Sequence, residues 1–255
     1  MEMRGIMGGF YRISEWIMRL SAINILWVIC SIPVFFMLLT MLASPELTTD
    51  AMLSSLWMIA ILSPFTLIPA TVAMYGVARK WVMGDTDVPL FKTYFRCYKE
   101  NYKQAMLGGL MFLVIGVLLI VCIRFYSSQT NALRWLSFLF ISFGVVYVGA
   151  LLNFFSLIVH FHMKLLQLVK NAFIMTMGQP FTSIGILATN AVIVYISTRY
   201  TFLIPFFMGS VSAFVTFWYF YRGFQRLQDK AEKAKEKAGE LEEADEDELN
   251  APTKL

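Results

Sequence analysis

Phe91, Phe95, Tyr98 and Tyr102 stand four, three and four residues apart, and Lys92, Arg96, Lys99 and Lys103 repeat that spacing one residue later. On a helix this sets an aromatic stripe beside a basic one. Such a surface is suited to recognition: rings settle among lipid headgroups or in a partner's groove, and cations meet phosphates or carboxylates. Asn24, Asn153 and Asn190 are a second kind of candidate, amides inside otherwise apolar runs. They are suited to hydrogen bonds between helices, and secondarily to contact with a solute. His160 and His162 lie two positions apart, so they point to different sides of a helix, with no third His, Cys or carboxylate nearby in sequence. No metal site is expected from them. The sequence also lacks H-E-x-x-H, a G-x-S-x-G elbow and a P-loop. No catalytic residue and no cofactor is assigned, and the chain is read as not an enzyme.

The elements that position these residues follow from composition. Hydrophobic residues make up 58% of the 255 residues and charged ones 15%, and the mean hydropathy is +0.64. A soluble core cannot hide that much apolar surface, so lipid is the expected solvent. Crossing its hydrocarbon layer takes about 20 apolar residues in a helix. Six stretches qualify: 22–43, 53–78, 105–125, 135–159, 181–198 and 201–221. Continuous apolar runs, without period-two alternation, mean helices, because each segment must satisfy its own backbone in lipid. The expected fold is therefore an all-α polytopic membrane helix bundle of about six spans with cytoplasmic interfacial helices. Only Arg199 and Tyr200 separate the last two runs, leaving either a tight hairpin or one irregular re-entrant unit.

Lys and Arg remain preferentially on the cytoplasmic side. With the N-terminus inside, only Arg124, Arg134 and Arg199 of the 21 basic residues fall outside, so both termini are expected to be cytoplasmic. The first apolar run is too long for a signal-peptide core and is read as a retained span. Cys30, Cys97 and Cys122 are dispersed and odd in number, which implies no disulfide framework.

Three segments look interfacial. Phe10, Ile13, Ile17 and Leu20 share one face of a short helix whose other face holds Arg12, Glu15 and Arg19, with Trp16 suited to the headgroup level. A second helix is expected from about Pro89 to Gln104, with Asp85 and Asp87 where its first turn could begin. The third segment spans 160–179. Lys103-Gln104-Ala105 and Lys170-Asn171-Ala172 both precede a span, which hints at an internal repeat of span, surface helix and span. Gly108-Gly109 is suited to close helix packing. The tail, 222–255, is charged: helix-favouring at first, with Leu227, Ala231, Ala234, Ala238 and Leu241 forming a seam for self-association. It turns acidic from Glu240 to Glu248, where a mobile, solvated end is expected from Gly239.

Pro69-Ala70-Thr71, Arg79-Lys80-Trp81, Pro89-Leu90-Phe91 and the Phe95-Arg96 to Lys103-Gln104 helix resemble the YesL-like family of bacterial integral membrane proteins. Gly9-Phe10, Leu26-Trp27, Ser31-Ile32-Pro33 and Lys170-Asn171-Ala172 resemble it as well, over about 8–221 of the chain, and the charged tail falls outside. The resemblance implies a protein of the bacterial cytoplasmic membrane without an established molecular activity, in a family associated with carbohydrate utilisation and sugar uptake. It brings no catalytic residues. The expected function is a non-enzymatic accessory or regulatory factor for carbohydrate uptake, whose partners are the lipid bilayer and a sugar-transport membrane or ATPase subunit, with homo-oligomerisation through the tail seam as a further expectation. The alternative is a small-solute transporter or a permease component of an ATP-binding-cassette sugar importer. For the latter, 163–180 lacks the Glu-Ala-Ala followed by Gly that marks many sugar permeases. Rings and cations together also suit nucleic acid, but a net charge of +4 and one short strip beside a membrane exclude it as a partner.

Overall fold

The computed structural model describes residues 6–43 and 48–250, and the side chains of 9–43 and 48–235. Among them there is no strand. The helices are α1 (Ile6–Cys30), α2 (Ile32–Ala43), α3 (Thr49–Leu62), α4 (Leu67–Val82), α5 (Leu90–Ser127), α6 (Leu136–His160), α7 (Leu165–Gly178), α8 (Pro180–Arg199) and α9 (Gly209–Asn250), with a 3₁₀ turn at Ala132–Trp135 and a π turn at Ile204–Met208. Arg4, the bend at Pro45 with Glu46, and 251–255 lie outside the described residues. Five segments are long and apolar enough to cross a membrane, Gly9–Cys30, Leu90–Ser127, Ala132–His160, Pro180–Arg199 and Ile204–Lys235, and α3 with α4 makes a sixth, bent by 52°. The protein is an all-α polytopic helix bundle.

Several boundaries differ from the sequence expectation, each for a local reason. The surface helix at 10–20 is no separate element: α1 continues through it to Cys30, since no Gly or Pro follows Gly9 in that run. The span expected at 22–43 is divided at Ser31, because Pro33 has no amide to continue the ladder and its ring would meet a carbonyl of the preceding turn. Trp27 and Phe35 close over this break, ring centroids 5.1 Å apart. The expected 53–78 span breaks between Leu62 and Leu67 around Pro64. There the hydroxyls of Ser63 and Thr66 donate to the Ile59 and Leu62 carbonyls at 2.6 and 3.1 Å. The helix expected at 89–104 and the span at 105–125 are one helix, α5, because neither Pro nor Gly interrupts 90–107. Its acids do not occupy its first turn: Asp85 pairs with Lys80 at 3.6 Å and Asp87 with Arg19 at 2.9 Å, both in the preceding loop. Gly84 turns that loop with φ of 97°, a backbone conformation open to glycine.

The last two spans form an antiparallel hairpin. Gly185 lies against Tyr219, Asn190 against Thr216 and Gly223 against Gln179. The helix of the second arm, α9, runs from Gly209 to Asn250.

At the centre is α4. Pro69, Ala70, Val72 to Ala78 and Trp81 are all buried, and α1, α5, α6 and α9 enclose them. Small residues permit the approach. A Cβ on Gly108 of α5 would fall 2.3 Å from Cζ of Phe154, a fully buried ring of α6 packed on Phe112 at 5.2 Å. Gly108→Val should therefore cost about 1–3 kcal/mol through overpacking, read as a lower Tm of the detergent-purified protein. Gly144→Ala, whose Cβ meets nothing within 4 Å, should leave Tm unchanged or raise it, because Ala is the better helix former.

Candidate functional site

The two stripes of α5 occur side by side on its first four turns, and a third face accounts for their position. Tyr94, Cys97, Asn101, Ala105, Gly108 and Phe112 follow one another at 3, 4, 4, 3 and 4 residues, and Tyr94, Ala105, Gly108 and Phe112 are buried. Tyr94 donates to the Ala70 carbonyl at 3.1 Å. Cys97 sits so close to Gly76 that a Cβ there would be 2.6 Å from its Sγ. This docking face was not singled out from the sequence, although small residues at helical spacing are its signal.

Fixed in that way, α5 holds Phe91 and Phe95 outward, 62% and 46% exposed. Tyr98 and Tyr102 are half-buried with ring centroids 5.6 Å apart, and Tyr102 donates to the Phe65 carbonyl at 3.2 Å, beside the α3/α4 break. The aromatic stripe is thus free at its start and tied to the bundle at its end. Lys92, Arg96, Lys99 and Lys103 are all exposed. Among the described residues only Arg96 of these four pairs with an acid, Glu100 at 4.0 Å, a pair too open to neutralise the stripe.

The three asparagines are brought to three different junctions rather than to one site. Asn24, fully buried, donates to the Ile204 carbonyl and accepts from the Ser210 amide, both at 2.9 Å. It satisfies backbone groups of the π turn containing Pro205. Asn153 donates to Thr176 Oγ1 at 2.9 Å, joining α6 to α7. Asn190 donates to the Ile186 carbonyl and Thr216 Oγ1 at 2.8 Å and accepts from the Ser212 hydroxyl, joining α8 to α9.

Other polar contacts gather near the α4–α5 loop. Arg19 binds Glu15, Asp87 and the Thr86 carbonyl, clamping α1 to that loop. Trp16 packs against Trp81 and Phe214 at 5.3 and 5.6 Å. Arg79 Nε donates to His160 Nδ1 at 3.3 Å, and the imidazole is ringed by Phe161, Phe217, Phe220, Tyr221 and Phe224. His162 is exposed. The two halves of the sequence repeat meet on one residue: Gln104 donates to the Met163 carbonyl at 3.1 Å and Asn171 reaches Met163 Sδ at 3.4 Å, while Ala105 and Ala172 are both fully buried. On the tail seam, Leu227 is 44% exposed and Ala231 and Ala234 are exposed.

These features define a multi-pass membrane protein with a rigid basic and aromatic helix fused to one of its spans. A family model described as a protein of unknown function, DUF624, matches residues 51–123, which cover α3, α4 and most of α5. Among relatives in Bacillus subtilis, the uncharacterised protein YesV is 30% identical over 191 residues, 72% of this chain and 90% of its own. YteU is 28% identical over 214 residues, 84% of each chain, and YesL 25% over 232 residues, 90% of this chain and 96% of its own. The chain belongs to this YesL-like family. No solved structure matches it.

Asn24→Ala leaves the Ile204 carbonyl and the Ser210 amide without their partner inside the bundle, at about 1–3 kcal/mol for each unmet group. Thermal unfolding in detergent should show a larger loss for it than for Asn190→Ala, whose partners Thr216 and Ser212 carry hydroxyls that can rotate toward other acceptors.

Proposed function

We propose that this chain is a non-enzymatic accessory or regulatory factor of the bacterial cytoplasmic membrane, with both termini and the 83–104 and 160–179 segments on the cytoplasmic side, serving carbohydrate uptake. The observation that carries it is the outward face of α5: Phe91, Lys92, Phe95, Arg96 and Lys99 exposed together on a helix immobilised by Tyr94 and Cys97. A preorganised surface loses little entropy on docking, and aromatic residues and Arg are enriched at interfaces. The orientation rests on the distribution of Lys and Arg, and the carbohydrate link rests on the family resemblance. The partner is a permease or ATPase subunit of a sugar importer.

A second reading, a small-solute transporter or permease component, has one observation in its favour. The 52° bend of α3 against α4 and the π turn before α9 are interrupted helices of the sort that line solute sites.

Affinity purification of the full chain in mild detergent tests the first reading against the second. It should recover a stoichiometric permease or ATPase subunit, and replacing Phe91, Lys92, Phe95, Arg96 and Lys99 by Ala should reduce that recovery severalfold without altering the elution profile. Solute flux by the protein alone in liposomes, with no partner recovered, would favour the transporter instead.

A further inference from the structure

We infer that Lys103, Lys164 and Lys170 form a binding site for the phosphate of an anionic phospholipid headgroup, at the junction where the two repeat halves meet. Each lysine is the chain neighbour of a residue in the Met163 node: Lys103 adjoins Gln104, Lys164 adjoins Met163, and Lys170 adjoins Asn171. The node's two hydrogen bonds therefore tie the segments that carry the three cations, α5, the 161–164 connection and α7, to one residue. All three are exposed, and none pairs with an acid among the described residues.

Apart from Glu100, three residues before Lys103, no acid is near in sequence to neutralise them. Between 101 and 228 the chain contains no Asp or Glu. The acids of the neighbouring loop and helix are already engaged, Glu15 and Asp87 with Arg19, Asp85 with Lys80 and Glu100 with Arg96. The site must draw its counter-charge from outside the bundle.

Its surroundings select lipid over an acidic protein. Leu166, Lys170, Ile174 and Met177 follow at 4, 4 and 3 residues and are all exposed, the apolar three by 71%, 54% and 68%. Phe181, at the start of α8, is 90% exposed. Lys170 thus rises from an apolar stripe that continues into a span, an arrangement in which acyl chains cover the apolar residues and the ammonium reaches the phosphate layer. Lys103 ends the basic stripe of α5 but is not one of the five residues assigned to a protein partner, so the site stands whether or not that partner exists.

Native mass spectrometry of the full chain in mild detergent, titrated with phosphatidylglycerol and with phosphatidylcholine, tests this. Phosphatidylglycerol should be retained preferentially, and Lys103→Gln/Lys164→Gln/Lys170→Gln should lower its occupancy by about tenfold or more, given the contribution of each basic residue near an anionic headgroup. The corresponding triple Arg variant should retain it, and Lys92→Gln/Lys99→Gln should behave as the unmodified protein. Millimolar inorganic phosphate should not displace the lipid, because it lacks the acyl chains. Equal retention of both lipids, displacement by inorganic phosphate, an undiminished occupancy in the Gln variant, or capture of an acidic protein that the Gln variant alone loses while lipid retention is unchanged would each overturn the proposal.

Discussion

The contact between α4 and α5 is the constraint on which the rest of the molecule depends. Gly76 faces Cys97 with no room for a Cβ between them, and Gly109 meets Pro64 and Ile68 with little more room, a Cβ there falling 3.2 Å from Pro64 Cα. Close approach of this kind replaces the hydrophobic drive that is missing between helices in lipid. It encloses α4, so α1, α6 and α9 pack on what remains of its surface. It also decides which way α5 turns: with Tyr94 and Cys97 inward, the basic stripe and the start of the aromatic stripe, Phe91 and Phe95, have the outside to occupy.

A second rule operates wherever a helix breaks. An unmet backbone group costs several kcal/mol in hydrocarbon, and two of the breaks of this chain carry a hydroxyl or an amide to prevent it. Ser183 donates to the Thr176 carbonyl across the α7/α8 junction at 2.9 Å and Asn24 bonds the Ile204 carbonyl and the Ser210 amide at the π turn, whereas the Ser63 and Thr66 hydroxyls at the α3/α4 bend add to the Ile59 and Leu62 carbonyls, which already accept backbone amides. Polar residues within the spans are therefore largely structural, and Asn24, Asn153 and Asn190 bridge three separate junctions.

The number of spans, the helical class and the α5 stripes were legible in the sequence because each rests on local periodicity and run length. The helix boundaries were less so. Ser31 and Pro33 mark a break inside an apolar run whose hydropathy never falls, and α5 carries its charged and apolar parts on one backbone without a punctuating residue. Trp16 illustrates the limit: its type suits a headgroup, but its packing partners, Trp81 and Phe214, are distant in sequence. The Met163 node was visible only as a matching Lys-Gln/Asn-Ala pair, since nothing in a sequence says that Gln104 and Asn171 reach the same residue. The buried face of α5 was legible in principle, in the spacing of Tyr94, Cys97, Ala105 and Gly108, and was obscured by the stronger pattern beside it.

If the α4–α5 contact positions the outward face, the two helices must be in register at Gly76 and Cys97. A Gly76→Cys variant places a second thiol there, with Cβ atoms 2.8 Å apart before relaxation. An opening of about 1 Å brings them to disulfide geometry. Mild oxidation in membranes, followed by thiol counting on the intact protein, should show this pair consumed in an intramolecular bond. A control that keeps Gly76→Cys but moves its partner, with Lys99→Cys in a Cys97→Ser background, should leave both introduced thiols free. Free thiols at positions 76 and 97 of the Gly76→Cys variant under those conditions, or equal bonding in the control, would mean that α5 is not held against α4 and would contradict the account.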